Sequence, residues 1–118
     1  TKHAALGFAE SVAITHGGDG IKVSVICPQY VATPMLGYAD KGASSDLPGV
    51  ITPEALAETV VEGVAQESFL ILPHADVAQF IQFKSANYDK WLGAMRKLRS
   101  KIVDEIGSTE LEAMHKLV

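Results

Sequence analysis

The sequence is short of cysteine, of aromatic residues and of long apolar runs, and each shortage narrows the field. A single cysteine, Cys27, among 118 residues cannot form an internal disulfide. A disulfide-stapled secreted scaffold is therefore excluded, and a reducing, cytoplasmic setting fits. Cys27 closes the strand-like apolar run 21–27, where a thiol ordinarily serves as a small buried hydrophobe. No stretch approaches the roughly 18 consecutive apolar residues of a membrane span, and no secretory leader is visible. Basic residues are not in excess: 10 Lys and Arg stand against 14 Asp and Glu, a net charge of -4. That balance gives no electrostatic footprint for nucleic acid or an anionic membrane. The histidines His3, His16, His74 and His115 lack metal-ligand spacing and useful Cys or carboxylate companions, so they read as structural or solvated and no metal is expected. The chain carries no internal repeat and no low-complexity segment.

What is present is a 47% apolar composition arranged as alternating helices and strands, enough for one ordinary domain. Residues 1–16 predict a helix with only Glu10 and Ser11 strongly polar between Ala4 and Ile14. A helix that is apolar nearly all round must be covered on two sides: one by a sheet, the other by a second surface such as a partner subunit. Gly17, Gly18 and Gly20 stop it. Residues 21–27 read as a central parallel-type strand, ended by Pro28, which has no N–H for a ladder. A Gly/Ser/Asp/Pro-rich loop occupies 34–50, long enough to suggest a lid or binding loop. Thr52-Pro53-Glu54 is a helix start. Leu56, Val60 and Val64 follow at four-residue spacing, opposite a face of Glu54, Glu58 and Glu62. Residues 69–72 predict a short buried strand before Pro73. Two strands joined through a helix imply a right-handed parallel crossover. From 76 to about 106 a long amphipathic pattern appears, with Asn87 or Gly93 as the candidate break, and a last short helix is expected after Gly107-Ser108.

Two short pieces could carry chemistry. Lys2 opens the first helix. The segment Pro28-Gln29-Tyr30-Val31-Ala32-Thr33-Pro34 begins 26 residues after it, beyond a helix, a glycine-rich break and a strand. Taken alone, Lys2 is a solvated terminal lysine and the second piece a strand-to-loop turn. In this order and register they resemble the second half of a short-chain dehydrogenase/reductase. That family uses Tyr-x-x-x-Lys followed by Pro-Gly-x-Val/Ile-x-Thr. The resemblance runs from Thr1 to about Pro73 and implies a doubly wound parallel-sheet Rossmann α/β fold. The corresponding domains are 1–75, with a lid at 34–50, and a helical extension at 76–118.

The resemblance implies an NAD(P)-dependent oxidoreductase interconverting an alcohol and a ketone or aldehyde. Lys2 would be both catalytic and cofactor-binding. Its charge lowers the pKa of a tyrosine one helical turn earlier, so that the phenol moves the hydroxyl proton while nicotinamide carries hydride. Pro28, Val31 and Thr33 would bind the cofactor. Val31 would offer backbone groups to the carboxamide, and Thr33 its hydroxyl to the carboxamide or pyrophosphate. Such a loop, at the carboxyl end of a parallel strand, is where open α/β sheets take ligands. Tyr30, Met35, Leu36 and Tyr38 would contact a nonpolar or bulky alcohol or ketone, or else simply anchor their loop. Gln29 departs from the family glycine.

The Gly-rich loop, the residue choosing NAD or NADP, the catalytic serine and the tyrosine would all precede Thr1, so these 118 residues alone are expected not to catalyse hydride transfer. They are also expected to be poorly soluble or stabilised by a partner, because a sheet edge and a helix face lie open. A homodimer or homotetramer is expected for the intact protein. The competing reading is a non-catalytic helical interaction module assembling through helix 1–16 and the 76–106 stripe.

Overall fold

The computed structural model of the chain describes residues 1–40 and 42–117, so Lys41 of the loop 34–50 lies outside the described residues. Helix α1 (Lys2–His16) is followed by a 3-10 turn and by strands β1 (Val25–Ile26) and β2 (Tyr30–Val31). After the loop come β3 (Val50–Ile51), α2 (Pro53–Ala65) and β4 (Leu70–Ile71). The remainder is helical: α3 (Val77–Ala86), α4 (Tyr88–Ile106), the short α5 (Leu111–Met114) and a closing 3-10 turn at His115–Leu117.

The strands form two separate parallel pairs. In the first, Val25 faces Leu70 and Ile26 faces Ile71. Flanking bonds from Val25 N–H to the Phe69 carbonyl (2.7 Å) and from Cys27 N–H to the Ile71 carbonyl (3.0 Å) extend it slightly. The expected strands at 21–27 and 69–72 are thus present but shorter: the prolines at 28 and 73 stop the ladder at its carboxyl end, and residues 21–24 stay outside it because in this register the chain opposite 21–23 is the turn after the helix 53–65. The second pair, Tyr30 with Val50 and Val31 with Ile51, was not anticipated. It supplies a geometric reason for the length of the intervening loop. A parallel return requires a connection of about a dozen residues or more, and here it runs from Val31 to Val50.

Helix α2 begins as the sequence implies. Thr52 Oγ1 accepts the Ala55 N–H at 3.1 Å, and Pro53 occupies the first turn, where no N–H is needed. Its covered stripe differs from the expected one. Leu56, Thr59, Val60 and Gly63 are half-buried, whereas Val64 is exposed. Gly63 turns the helix onto β4, with the Ile71 side chain filling the space that a Cβ would take. The 76–106 pattern breaks at Asn87, whose extended backbone ends α3 and whose side chain accepts the Lys90 N–H at 2.9 Å to start α4; Gly93 stays helical.

The apolar core is small. Ala32, Leu36, Ala43, Ile71 and Ile102 are its buried members among the described residues. None of the α1 residues is buried. Leu6, Ala9, Val12 and Ala13 make its half-covered stripe, while Phe8 and Ile14 are 71% and 84% exposed. The second surface that an all-round apolar helix requires is therefore not supplied by the described residues.

Candidate functional site

The carboxyl ends of β1 and β4 lie side by side, and the chain leaves both through proline: Pro28 after β1 and Pro73 after β4. Ladder pairing cannot continue past them. Instead the His74 ring, buried behind β4, reaches the segment after Pro28. Its Nδ1 accepts the Gln29 N–H at 3.2 Å, and its Nε2 donates to the Tyr30 carbonyl at 3.2 Å. Tyr30 and Val31 are in their ladder with Val50 and Ile51, and Ala32 N–H closes on the Ile51 carbonyl at 2.9 Å. Val31 is half-buried and Ala32 fully so.

Thr33 turns the chain. Its carbonyl accepts the N–H groups of Leu36 (2.9 Å) and Tyr38 (3.2 Å), while its hydroxyl caps nothing. The expected loop contacts then divide by environment. Met35 is 72% exposed, and Leu36 is buried in the core. Tyr30 and Tyr38 are half-buried and both rings meet His115, at centroid separations of 6.0 and 5.7 Å. Gly37 holds a left-handed φ of 82°, and a Cβ there would come within 2.9 Å of Glu112 Oε1. Helix α5 therefore seats directly on this loop.

His115, 1% exposed, ends a chain of hydrogen bonds whose directions follow from the donors available. Leu47 N–H donates to Ser45 Oγ at 3.1 Å. The Ser45 hydroxyl donates to the Tyr38 oxygen at 2.9 Å. The Tyr38 hydroxyl donates to His115 Nε2 at 3.4 Å, and His115 Nδ1–H donates to the Leu111 carbonyl at 3.1 Å. Sequence reasoning grouped His74 and His115 with the other histidines; only their pairing with backbone and loop groups, which depends on the fold, separates them.

Burial raises the Tyr30 phenol pKa. That is opposite to the direction a proton-transferring tyrosine needs near neutral pH, so Tyr30 is suited to contact rather than acid–base work. Lys2 is exposed in the first turn of α1. Next to it, His3 Nε2 accepts from the Lys84 ammonium at 2.8 Å. His3, Leu6, Gly7, Cys27, Leu70 and Lys84 help line a cleft of about 450 Å³ between α1, the strand edge and α3. This cleft contains neither Val31 nor Thr33. Among the described residues no group of three or more His, Cys, Asp or Glu could hold a metal ion.

Parallel strand pairs joined through helices define the class: an α/β segment. Comparison with known proteins narrows it. No family model matches the chain, and no solved structure does. Curated proteins do match. Borneol dehydrogenase, mitochondrial, from Lavandula x intermedia is 38% identical over 77 residues, covering 63% of this chain and 30% of that protein. Epidermal retinol dehydrogenase 2 from Homo sapiens is 36% identical over 77 residues, 62% of this chain and 25% of that protein. 1-Deoxy-11-beta-hydroxypentalenate dehydrogenase from Streptomyces exfoliatus is 32% identical over 93 residues, 77% of this chain and 32% of that protein. The matches span about a third of these relatives or less. The chain is thus related to the short-chain dehydrogenases/reductases, whose Rossmann-like α/β fold agrees with its parallel pairs and crossover helix.

Proposed function

We propose that this chain is the carboxyl-terminal portion of an NAD(P)-dependent oxidoreductase that interconverts an alcohol and a ketone or aldehyde. The observation that carries the reading is the loop 28–33, standing at the carboxyl end of a parallel strand in a chain whose relatives are named dehydrogenases. The groups left without an internal duty there suit a dinucleotide: the Thr33 hydroxyl caps nothing, and Val31 holds a half-buried backbone position beside it. When bound, the nicotinamide supplies the hydride chemistry. Lys2 favours the anionic form of a phenol one helical turn away. Pro28, Val31 and Thr33 hold and orient the ring, and Tyr30, Met35, Leu36 and Tyr38 shape an apolar surround for the substrate. In this reading residues 1–75 form the Rossmann-type part with its lid, and 76–118 the helical extension.

The protein works as a homodimer or homotetramer, with small-molecule substrates and no nucleic-acid or membrane partner. Its setting is the cytoplasm; no helix among the described residues is long and apolar enough to cross a membrane. One observation favours a second reading, a helical interaction module without catalysis: α1 presents Phe8 and Ile14 to solvent with no buried residue of its own. Titration of the chain with NADH and NADPH, followed by nucleotide fluorescence, separates the two. Saturable binding lost in Thr33→Val supports the oxidoreductase. No binding of either nucleotide, together with self-association of the chain that Phe8→Glu abolishes, supports the module.

A further inference from the structure

We propose that His74 is the positioning residue of the nicotinamide loop, its imidazole standing in for the strand pairing that Pro28 and Pro73 interrupt. This inference rests on the oxidoreductase reading and assigns the means by which that loop is held. Beyond Cys27, β1 has no further ladder partner, because Pro73 takes the place of the residue that would pair. The Gln29 N–H that follows would otherwise lie without a partner in a half-buried stretch, and the Tyr30 carbonyl, already at the start of the β2–β3 ladder, takes a further bond. The His74 ring satisfies both at 3.2 Å and is itself 7% exposed.

The two partners fix the state of the ring. A backbone N–H can only donate and a carbonyl can only accept, so Nδ1 is bare and Nε2 carries the proton. Only this neutral tautomer makes both bonds. The positions served are Gln29 and Tyr30, directly before Val31, whose backbone would face the carboxamide. Gln29 stands where the family pattern has glycine. A side chain at that point narrows the backbone choices, and a bridge to the Gln29 amide selects one of them. His74 touches no reacting atom in this scheme; it acts through the loop.

The test uses the 15N-labelled chain. Scalar coupling across the hydrogen bond between the Gln29 amide nitrogen and His74 Nδ1, with imidazole shifts of the Nε2–H tautomer, is expected without any substitution. His74→Phe keeps bulk but neither bond, and is expected to raise amide exchange at Val31 and Ala32 and weaken NADH binding by about tenfold each, the effect of one net hydrogen bond. His74→Gln carries both an acceptor and a donor and is expected to recover most of each loss. Coupling, faster exchange and weakened binding together, with rescue by Gln, support the proposal. Absent coupling, or unchanged exchange in His74→Phe while the wild-type chain binds NADH, overturns the role of His74 and leaves the oxidoreductase reading standing. Coupling and faster exchange with NADH binding unchanged by His74→Phe overturn the cofactor role of His74 and leave the oxidoreductase reading standing; no nucleotide bound even with an amino-terminal dinucleotide-binding half joined to the chain overturns the oxidoreductase reading, and the cofactor role of His74 falls with it.

Discussion

Replacing Gly63 with alanine sets two known effects against each other at the seat of α2 on β4. In an exposed helix the change stabilises by about 0.8–1.0 kcal/mol, because glycine has more backbone freedom to lose. Here the new methyl would lie 2.7 Å from both Cδ1 and Cγ1 of Ile71 and 3.2 Å from Cγ2. Favourable carbon contacts lie near 3.5–4.0 Å, so the side chain must move. Ile71 is 3% exposed and has little room to do so. Overpacking of this kind costs about 1–3 kcal/mol. Two close approaches, one of them to a carbon attached directly to Cβ, place the cost in the upper half of that range. The net expectation for Gly63→Ala is a loss of about 1 kcal/mol, read as a lower urea midpoint with an unchanged slope. Ile71→Val removes Cδ1 and alone costs about 0.5–1.5 kcal/mol; in the Gly63→Ala background it should cost at least about 0.5 kcal/mol less. A raised midpoint for Gly63→Ala, or strict additivity of the pair, would refute the packing of α2 on β4. The support for the strand that carries His74 to its place would go with it.

Other consequences are simpler to check. Thr52→Ala removes the acceptor for the Ala55 N–H and should lower stability by about 1 kcal/mol in the same denaturation assay, with Thr52→Ser close to wild type. His115→Ala and Tyr38→Phe each break the bond between the carboxyl-terminal turn and the loop. Their double-mutant cycle should show a coupling of about 0.5–1 kcal/mol, and zero coupling would mean the bond does not form in solution. Because burial raises the Tyr30 pKa, the native state keeps a proton that the unfolded chain loses. Stability is therefore unaffected below the ordinary tyrosine range and falls as pH rises above it. Ultraviolet titration should show a late-ionising phenol that disappears in Tyr30→Phe; a Tyr30 that ionises at or below the free-tyrosine range would contradict its burial. Finally, the uncovered face of α1 predicts association or poor solubility at working concentration, which a well-folded monomer in size-exclusion chromatography would rule out.

What was legible in the sequence was whatever local chemistry decides. Thr52-Pro53 fixed the start of α2, because a cap and a proline act within one turn. Asn87 ended one helix and capped the next for the same reason. The prolines at 28 and 73 bounded β1 and β4 at their carboxyl ends, whereas residues 21–24, strand-like in apolar patterning, stayed outside the ladder. Patterning also overstated cover. Val64 fits the apolar period of α2 yet faces solvent, since spacing gives the direction of a side chain and not what lies opposite it. The β2–β3 pair was not legible at all. Its four residues are separated by a loop, and parallel pairing depends on where that loop returns. For the candidate site, the segment 28–38 was found from its order along the chain, whereas the two histidines that hold it were not. Their partners are backbone groups and a tyrosine up to 77 residues away, and no local pattern encodes such a pairing.

The segment from Gln29 to Leu47 is held at three points by three different interactions: an imidazole bridge at Gln29 and Tyr30, a ladder at Val31, and a hydroxyl relay from Ser45 through Tyr38 to His115. Folding thereby engages several polar groups of the loop. The Tyr38 hydroxyl and the Ser45 hydroxyl answer each other, the Tyr30 carbonyl answers His74, and Leu36 is buried in the core. Among the described residues the Thr33 hydroxyl makes no capping bond, and the Met35 side chain faces solvent. A hydroxyl that takes no part in capping its own turn contributes little to the fold, whereas one bonded to two neighbours contributes more when half-buried. On this argument Thr33 is the side chain of the loop whose removal should affect ligand binding most and stability least. Tyr38 should show the reverse, because its hydroxyl is already part of the structure that presents Thr33.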